Sequence, residues 1–287
     1  PTSLGFDGEL LHVVPADEEE LSQAEHWASD PARDQELARI VVLPPRVREL
    51  RDLLLDVAAL HYVLETREEL EHDRPARREV AGRLLEAQHA LTQVIAETYT
   101  GQHSRWFYRH QQHAIVSARQ IDDLLSSAAD STYAETPRIW NELIMRRQLS
   151  GAAAKARRNL VEAMLEHAHE EHLGIVGYPP ERAIYESVLR KGGLHRQAAN
   201  GEWELGPPPP EDPLHLRPAW HAMERYLESD EHEPRSLTGL LSLLEGPPFG
   251  VKSGLAPLLF MTLYVVRAGE INLYERGNFV AMPDIAT

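Results

Sequence analysis

The sequence predicts a mainly α protein, a helical bundle with a long helical hairpin followed by a small α+β domain of winged-helix-like type. Three observations predict it. Apolar residues recur every three and four positions through two long stretches between residues 47 and 98, the spacing that gathers side chains on one face of an α-helix. An alanine-rich segment follows Ser150, a residue type suited to cap a helix N-terminus. The C-terminal part sets three helical patterns ahead of a short strand-turn-strand pattern. The divisions expected from these patterns are an extended, acidic N-terminal segment over 1–45, a helical bundle over 46–174 and the winged-helix-like domain over 175–287.

Taken in order, residues 10–14 form a short apolar run, and the acidic residues from Asp17 to Glu20 suit the positive N-terminal end of a helix. Residues 40–43 read as a short strand or an extended lead-in that stops at Pro44 and Pro45. A first helical stripe then runs through Val47, Leu50, Leu54, Val57, His61 and Leu64. A second runs through Val80, Leu84, Ala87, Leu91, Val94 and Thr98, with a charged connector at 71–75, so the two predict an antiparallel helical hairpin. Gly101 is expected to end the second helix, and a third is expected over 110–129.

Pro137 fits the first turn of a short fourth helix ending near residue 148, and Ser150 caps a fifth that runs to about residue 171. Gly174 stops it. After a turn at 177–180 and a short helix over 181–191, Asn200 and Gly201 lie between two short strands as a tight hairpin turn. A proline run at 207–210 leads to helices over 215–228, 236–244 and 255–267, then a terminal hairpin over 271–281.

Composition narrows the function classes. The absence of cysteine among 287 residues removes disulfides, thiolate catalysis and cysteine-based zinc sites, and it fits a reducing, cytoplasmic setting. The apolar run at 255–266 is too short for a hydrocarbon layer of roughly 30 Å, so no membrane partner is expected. Residues 1–5 lack the features of a signal peptide and read as the start of an excised segment. A net charge of -16 opposes broad nucleic-acid binding. A local basic patch remains, made of Arg138, Arg146, Arg147, Lys155, Arg157 and Arg158, which suits a partner surface or a weak, salt-sensitive contact with DNA.

Three motifs invite chemistry. Gly246, Gly250, Lys252 and Ser253 imitate a phosphate-binding loop, but Gly246 and Gly250 stand too close together, Val251 precedes the lysine and a helix precedes the loop, so an inter-helix turn is expected. His167, His169 and His172 are candidate metal ligands at short helical spacings, although they miss the H-E-x-x-H pattern and read more simply as a solvated helix end. Arg105 and Trp106 open an aromatic and cationic run that suits either base stacking or anchorage of a loop. No G-x-S-x-G element supports a nucleophilic triad, and no catalytic residue is assigned.

Residues 141–144, the pair Arg146 and Arg147, residues 149–158 and residues 162–164 together resemble a stretch of very large P-loop ATPases from bacterial phage-defence and restriction operons. These include the ATPases of bacteriophage exclusion and phage growth limitation systems. Further matching stretches are 126–133, 174–180, 246–252 and 271–280, so the resemblance covers about residues 40 to 285. In such proteins this region lies downstream of the nucleotide-binding core. The resemblance therefore implies a non-catalytic binding and coupling region, with ATP and magnesium held in an upstream region and with other subunits of a defence complex, or the rest of a longer chain, as partners. A stand-alone acidic adaptor and a metal-dependent enzyme using the histidine cluster are the competing classes.

Overall fold

The computed structural model describes residues 8–33, 38–45, 47–99, 103–146, 148–228 and 234–280. Gly101, Arg147 and Ala281, which figure in the sequence reading, lie outside the described residues. The chain is mainly α-helical, with ten α-helices and three small sheets among the described residues. It forms two compact units, Pro1–Thr132 and Tyr133–Thr287. The contact division thus falls between Thr132 and Tyr133, away from the composition changes near residues 45 and 174. Among the described residues no helix is long and apolar enough to cross a membrane.

In the first unit β1 (Gly8–His12), α1 (Glu18–Ala28) and β2 (Ala38–Leu43) make a parallel strand pair joined through a helix. Asp17 caps α1 by accepting from the Glu20 N–H at 2.9 Å, and three glutamates fill the first turn, where the helix dipole favours anions. The chain then runs through α2 (Arg48–Thr66), α3 (Glu69–His72) and α4 (Arg74–Tyr99) before returning as β3 (Arg105–Tyr108), β4 (Gln111–His113) and α5 (Ala118–Thr132). The four strands lie in the order β1-β2-β3-β4, with β3 antiparallel to both neighbours.

Alternate residues of β2 serve two cores. Ile40 and Val42 pack with Leu50, Tyr99, Trp106, Tyr108 and Leu124, while Val41 and Leu43 pack with Leu21, Ala28, Val47 and Phe107. A strand buried on both faces reads as an unbroken apolar run, as residues 40–43 do, and of the two readings, short strand or extended lead-in, the structure has the strand. Trp106, facing His113 across the β3–β4 pair, is one of the largest fully buried side chains.

Helices α2 and α4 pack along each other. The expected stripe on α4 is half-buried at Val80, Leu84, Ala87, Leu91, Val94 and Thr98. Of the expected stripe at α2, Val47 and Leu50 are buried and Val57 and Leu64 half-buried, whereas Leu54 and His61 face solvent and Leu53, Leu60 and Val63 are half-buried as well. The third expected helix starts later than residue 110, because Arg109 and His110 adopt positive φ at the β3–β4 turn and residues 111–113 form a strand.

The second unit opens with residues 133–149, where the expected fourth helix is absent among the described residues. Asn141 explains this: its Oδ1 accepts from the Leu143 N–H at 2.9 Å, and its amide donates to the Ser187 hydroxyl at 2.7 Å and the Ala183 carbonyl at 3.2 Å. Such local side-chain bonds compete with helical ones. The Arg138 N–H is likewise taken by the Leu214 carbonyl at 2.8 Å. Helix α6 (Gly151–Glu166) has Ser150 as its cap and stops short of residue 171, with His167 at its C-cap.

A turn at Glu171–Gly174 follows, then α7 (Pro180–Ile184), which runs directly into a π-helical turn over Tyr185–Arg190. Strands β5 (His195–Gln197) and β6 (Trp203–Leu205) pair antiparallel around Asn200 and Gly201, and Gly201 has φ 87°. Helices α8 (Arg217–Glu228), α9 (Leu237–Glu245) and α10 (Ala256–Val266) precede the antiparallel pair β7 (Leu273–Glu275) and β8 (Asn278–Val280). Along α10 buried residues occupy every side, including Leu258, Leu259, Phe260, Met261, Thr262 and Leu263. The one hydroxyl among them, on Thr262, donates to the Leu258 carbonyl at 2.9 Å.

Candidate partner-contact surface

The basic segment between residues 138 and 158 separates into exposed and engaged members. Arg138, Lys155 and Arg158 are exposed. Arg146 is exposed too and faces Glu142 at 3.9 Å, a geometry that contributes little in water. Arg157 differs: its Nη1 donates to the Ser253 carbonyl at 3.2 Å and the Gly254 carbonyl at 3.5 Å, and burial lowers its pKa, with Arg158 adding to the effect. It ties α6 to the turn before α10. The glycine-rich turn of residues 246–254 is therefore an inter-helix connection, with Phe249 and Val251 buried in the core.

The aromatic run of the first unit lies inside the sheet. Trp106 is 1% exposed, so its indole offers no face to a base, and Arg105 forms an ion pair with Glu25 of α1. The sequence favours anchorage of a loop over base stacking; the β3 pairing makes the run a core strand. The signal for this was its aromatic density, since aromatic residues suit a pleated, buried surface.

Nor do the three histidines converge. His167 Nδ1 lies 2.9 Å from Glu170 Oε1, and His169 is exposed. His172 turns away, its Nε2 accepting from Arg190 at 3.0 Å while its ring meets Tyr185 and Trp203. Among the described residues no group of three or more His, Cys, Asp or Glu is placed to hold a metal ion.

What the sequence does not reveal is a set of bare apolar side chains in the second unit. Trp140 is 92% exposed, Val176 92% and Tyr178 93%. Trp140 sits on the turn fixed by Asn141, whose amide reaches the α7 segment at Ala183 and Ser187. Tyr178 lies two residues before the start of α7. Beside Trp140 lies a groove of about 560 Å³, lined by Ile139, Asn141, Glu142, Met145 and Arg146. Isolated exposed aliphatics are ordinary on protein surfaces, but a tryptophan held almost wholly in water, on a turn immobilised by hydrogen bonds, is not. The arrangement offers apolar anchors with cations near Trp140 on the same turn. No family model, curated protein or solved structure matches the chain.

Proposed function

We propose that this chain is a non-catalytic binding and coupling region of a larger phage-defence ATPase, working in the cytoplasm and contacting protein rather than DNA. Its parentage rests on the resemblance of residues 141–164 and the further stretches described above; ATP and magnesium belong, in this reading, to an upstream region. The contact rests on one observation, the near-complete exposure of Trp140 on a fixed turn. Large aromatic residues dominate the energetic centres of protein interfaces, whereas charges at the rim mainly steer the encounter. Arg138 and Arg146 supply such charges beside Trp140, and Lys155 and Arg158 add others on α6.

The order α8, α9, α10 and then β7–β8 supports a winged-helix-like subdomain. A DNA-reading helix must present polar and basic side chains to the major groove. Burial around α10 denies it that role and favours protein contact.

Co-purification tests the reading. The chain, tagged, is co-expressed with the ATPase core and the subunits encoded beside it. Recovery of those proteins with the wild type, and its loss with Trp140→Ala, supports the assignment, and equal recovery overturns the surface. The absence of a G-x-x-x-x-G-K-[ST] loop from the encoding gene and its neighbours overturns the ATPase parentage.

A further inference from the structure

His195 opens β5 at 1% exposure. Its Nε2 lies 3.1 Å from the Ala168 carbonyl, and its Nδ1 lies 2.9 Å from the Tyr185 hydroxyl. A carbonyl can only accept, so Nε2 carries the proton; Nδ1 of the neutral ring then accepts from the Tyr185 O–H. The imidazole stacks on Trp203 with centroids 5.1 Å apart and meets Tyr185 edge-on. Burial favours the neutral form, in which both ring nitrogens are hydrogen-bonded.

Ala168 belongs to a segment whose backbone is strained. His172, Leu173 and Gly174 take φ of 57°, 56° and 67° in succession. Left-handed backbone crowds the Cβ of any residue but glycine, and consecutive residues in it are rare. Such a conformation persists only where its surroundings over-determine it, and it recurs at clamps and switches. Four restraints hold this one: the His195 bond to Ala168, burial of Leu173, the Arg182 donation to the Ile175 carbonyl at 3.1 Å and the His172 contact with Arg190. Immediately beyond lie the bare side chains of Val176 and Tyr178.

We propose that residues 167–178 form a strained strap, latched by neutral His195 and released when the buried imidazole takes up a proton, which frees the backbone carrying Val176 and Tyr178. A protonated ring donates from both nitrogens, so the Tyr185 O–H must turn from donor to acceptor, and the buried charge has no carboxylate bonded to it and gains hydration only if the strap bonded to it moves. The surrounding charges do not repair this. On α7 and the π-helical turn, Glu186 is shared between Arg182 at 2.7 Å and Arg190 at 3.4 Å, and Arg182 lies over the Tyr185 ring. From the strap itself come the His167–Glu170 pair, Glu171 and His172, and from β5–β6 the Arg196–Glu204 pair at 3.5 Å. Burial holds the His195 pKa below the usual histidine range, with the Ala168 bond opposing that shift and His172 adding to it. Release therefore belongs to acidification below that range. The device does not depend on the partner assignment.

Backbone hydrogen exchange of the whole chain at about pH 7.5 and about pH 5, corrected for intrinsic rates, tests this, with α10 as internal reference. In the wild type, protection of 167–178 should fall at least about tenfold relative to α10 on acidification, the equivalent of one pKa unit. His195→Gln keeps a donor toward Ala168 and an acceptor toward Tyr185 without titrating, so the acid response should vanish. An unchanged wild-type strap, or equal responses in wild type and variant, overturns the proposal.

Discussion

Arg157 and Arg158 are neighbours in sequence with opposite structural fates, and substituting each separately gives a sharp test of the packing described above. Arg157 Nη1 donates to two carbonyls of the turn before α10, at 3.2 and 3.5 Å, from a half-buried position. A hydrogen bond from a charged group is worth about 1.5–3 kcal/mol, and here the longer contact adds little. Arg157→Ala should therefore cost about 2 kcal/mol, and Arg157→Glu more, because a carboxylate would meet two carbonyl oxygens with no donor. For a unit of this size, 2 kcal/mol corresponds to a fall of about 4–8 °C in Tm. Arg158, exposed on the same helix, should change stability by less than about 0.5 kcal/mol on substitution by Glu. Urea and thermal denaturation followed by circular dichroism measures both. An Arg157→Ala variant as stable as the wild type, or an Arg158 variant as damaged as the Arg157 one, refutes the assignment. The contrast also matters for function, since reversing both arginines together would weaken partner binding through misfolding as readily as through lost contact.

Further consequences follow from named contacts. A Cβ on Gly254 would lie 2.3 Å from the Ile144 carbonyl oxygen and 2.8 Å from Leu149 Cδ2, so Gly254→Ala should cost at least about 2 kcal/mol, read by urea denaturation; full stability would contradict that close approach. Burial pushes the hydroxyls of Tyr99 and Tyr185 up to about 12, above the unfolded value of 10.0. Their contribution is complete below pH 10 and is lost as pH rises toward 12, because the unfolded chain releases those protons first. Denaturation midpoints stepped through that window should fall, and fall less in Tyr99→Phe once its weaker starting point, from loss of the 2.7 Å bond to the Val13 carbonyl, is subtracted; equal slopes would contradict the shift. Duplex DNA should bind weakly and in a salt-sensitive way in titrations at low and physiological ionic strength. Tight binding undiminished by salt would contradict the preference for protein.

Local chemistry was legible in the sequence wherever it decided the outcome. Ser150 caps the helix that follows it, Asn200 and Gly201 make the hairpin turn, and the apolar run at α10 is a buried helix. The central sheet was not legible, because β2 finds its antiparallel neighbour β3 only after three intervening helices, and β4 is three residues long. Residues 137–148 carry helical propensity, yet Asn141 takes its decisive partner from Ser187, 46 positions away. The same distance problem governs the site. Helical spacing places Arg157 apart from Lys155 and Arg158, but only the fold brings Ser253 and Gly254 beneath it. Trp140 and Tyr178 carry no sequence signal of exposure, since large aromatic residues belong by default to a core.

The most direct measurement is the affinity of the wild-type chain and of Trp140→Ala for the ATPase core proposed as its partner, by titration calorimetry at physiological ionic strength, with unfolding midpoints recorded in parallel. At 92% exposure Trp140 contributes almost nothing to the fold, so the variant should match the wild type in stability within about 0.5 kcal/mol. Its Kd should rise at least about thirtyfold, the loss of roughly 2 kcal/mol expected for an aromatic anchor at the centre of an interface. An unchanged Kd in a fully folded variant would contradict the claim that this surface is where the chain engages its partner.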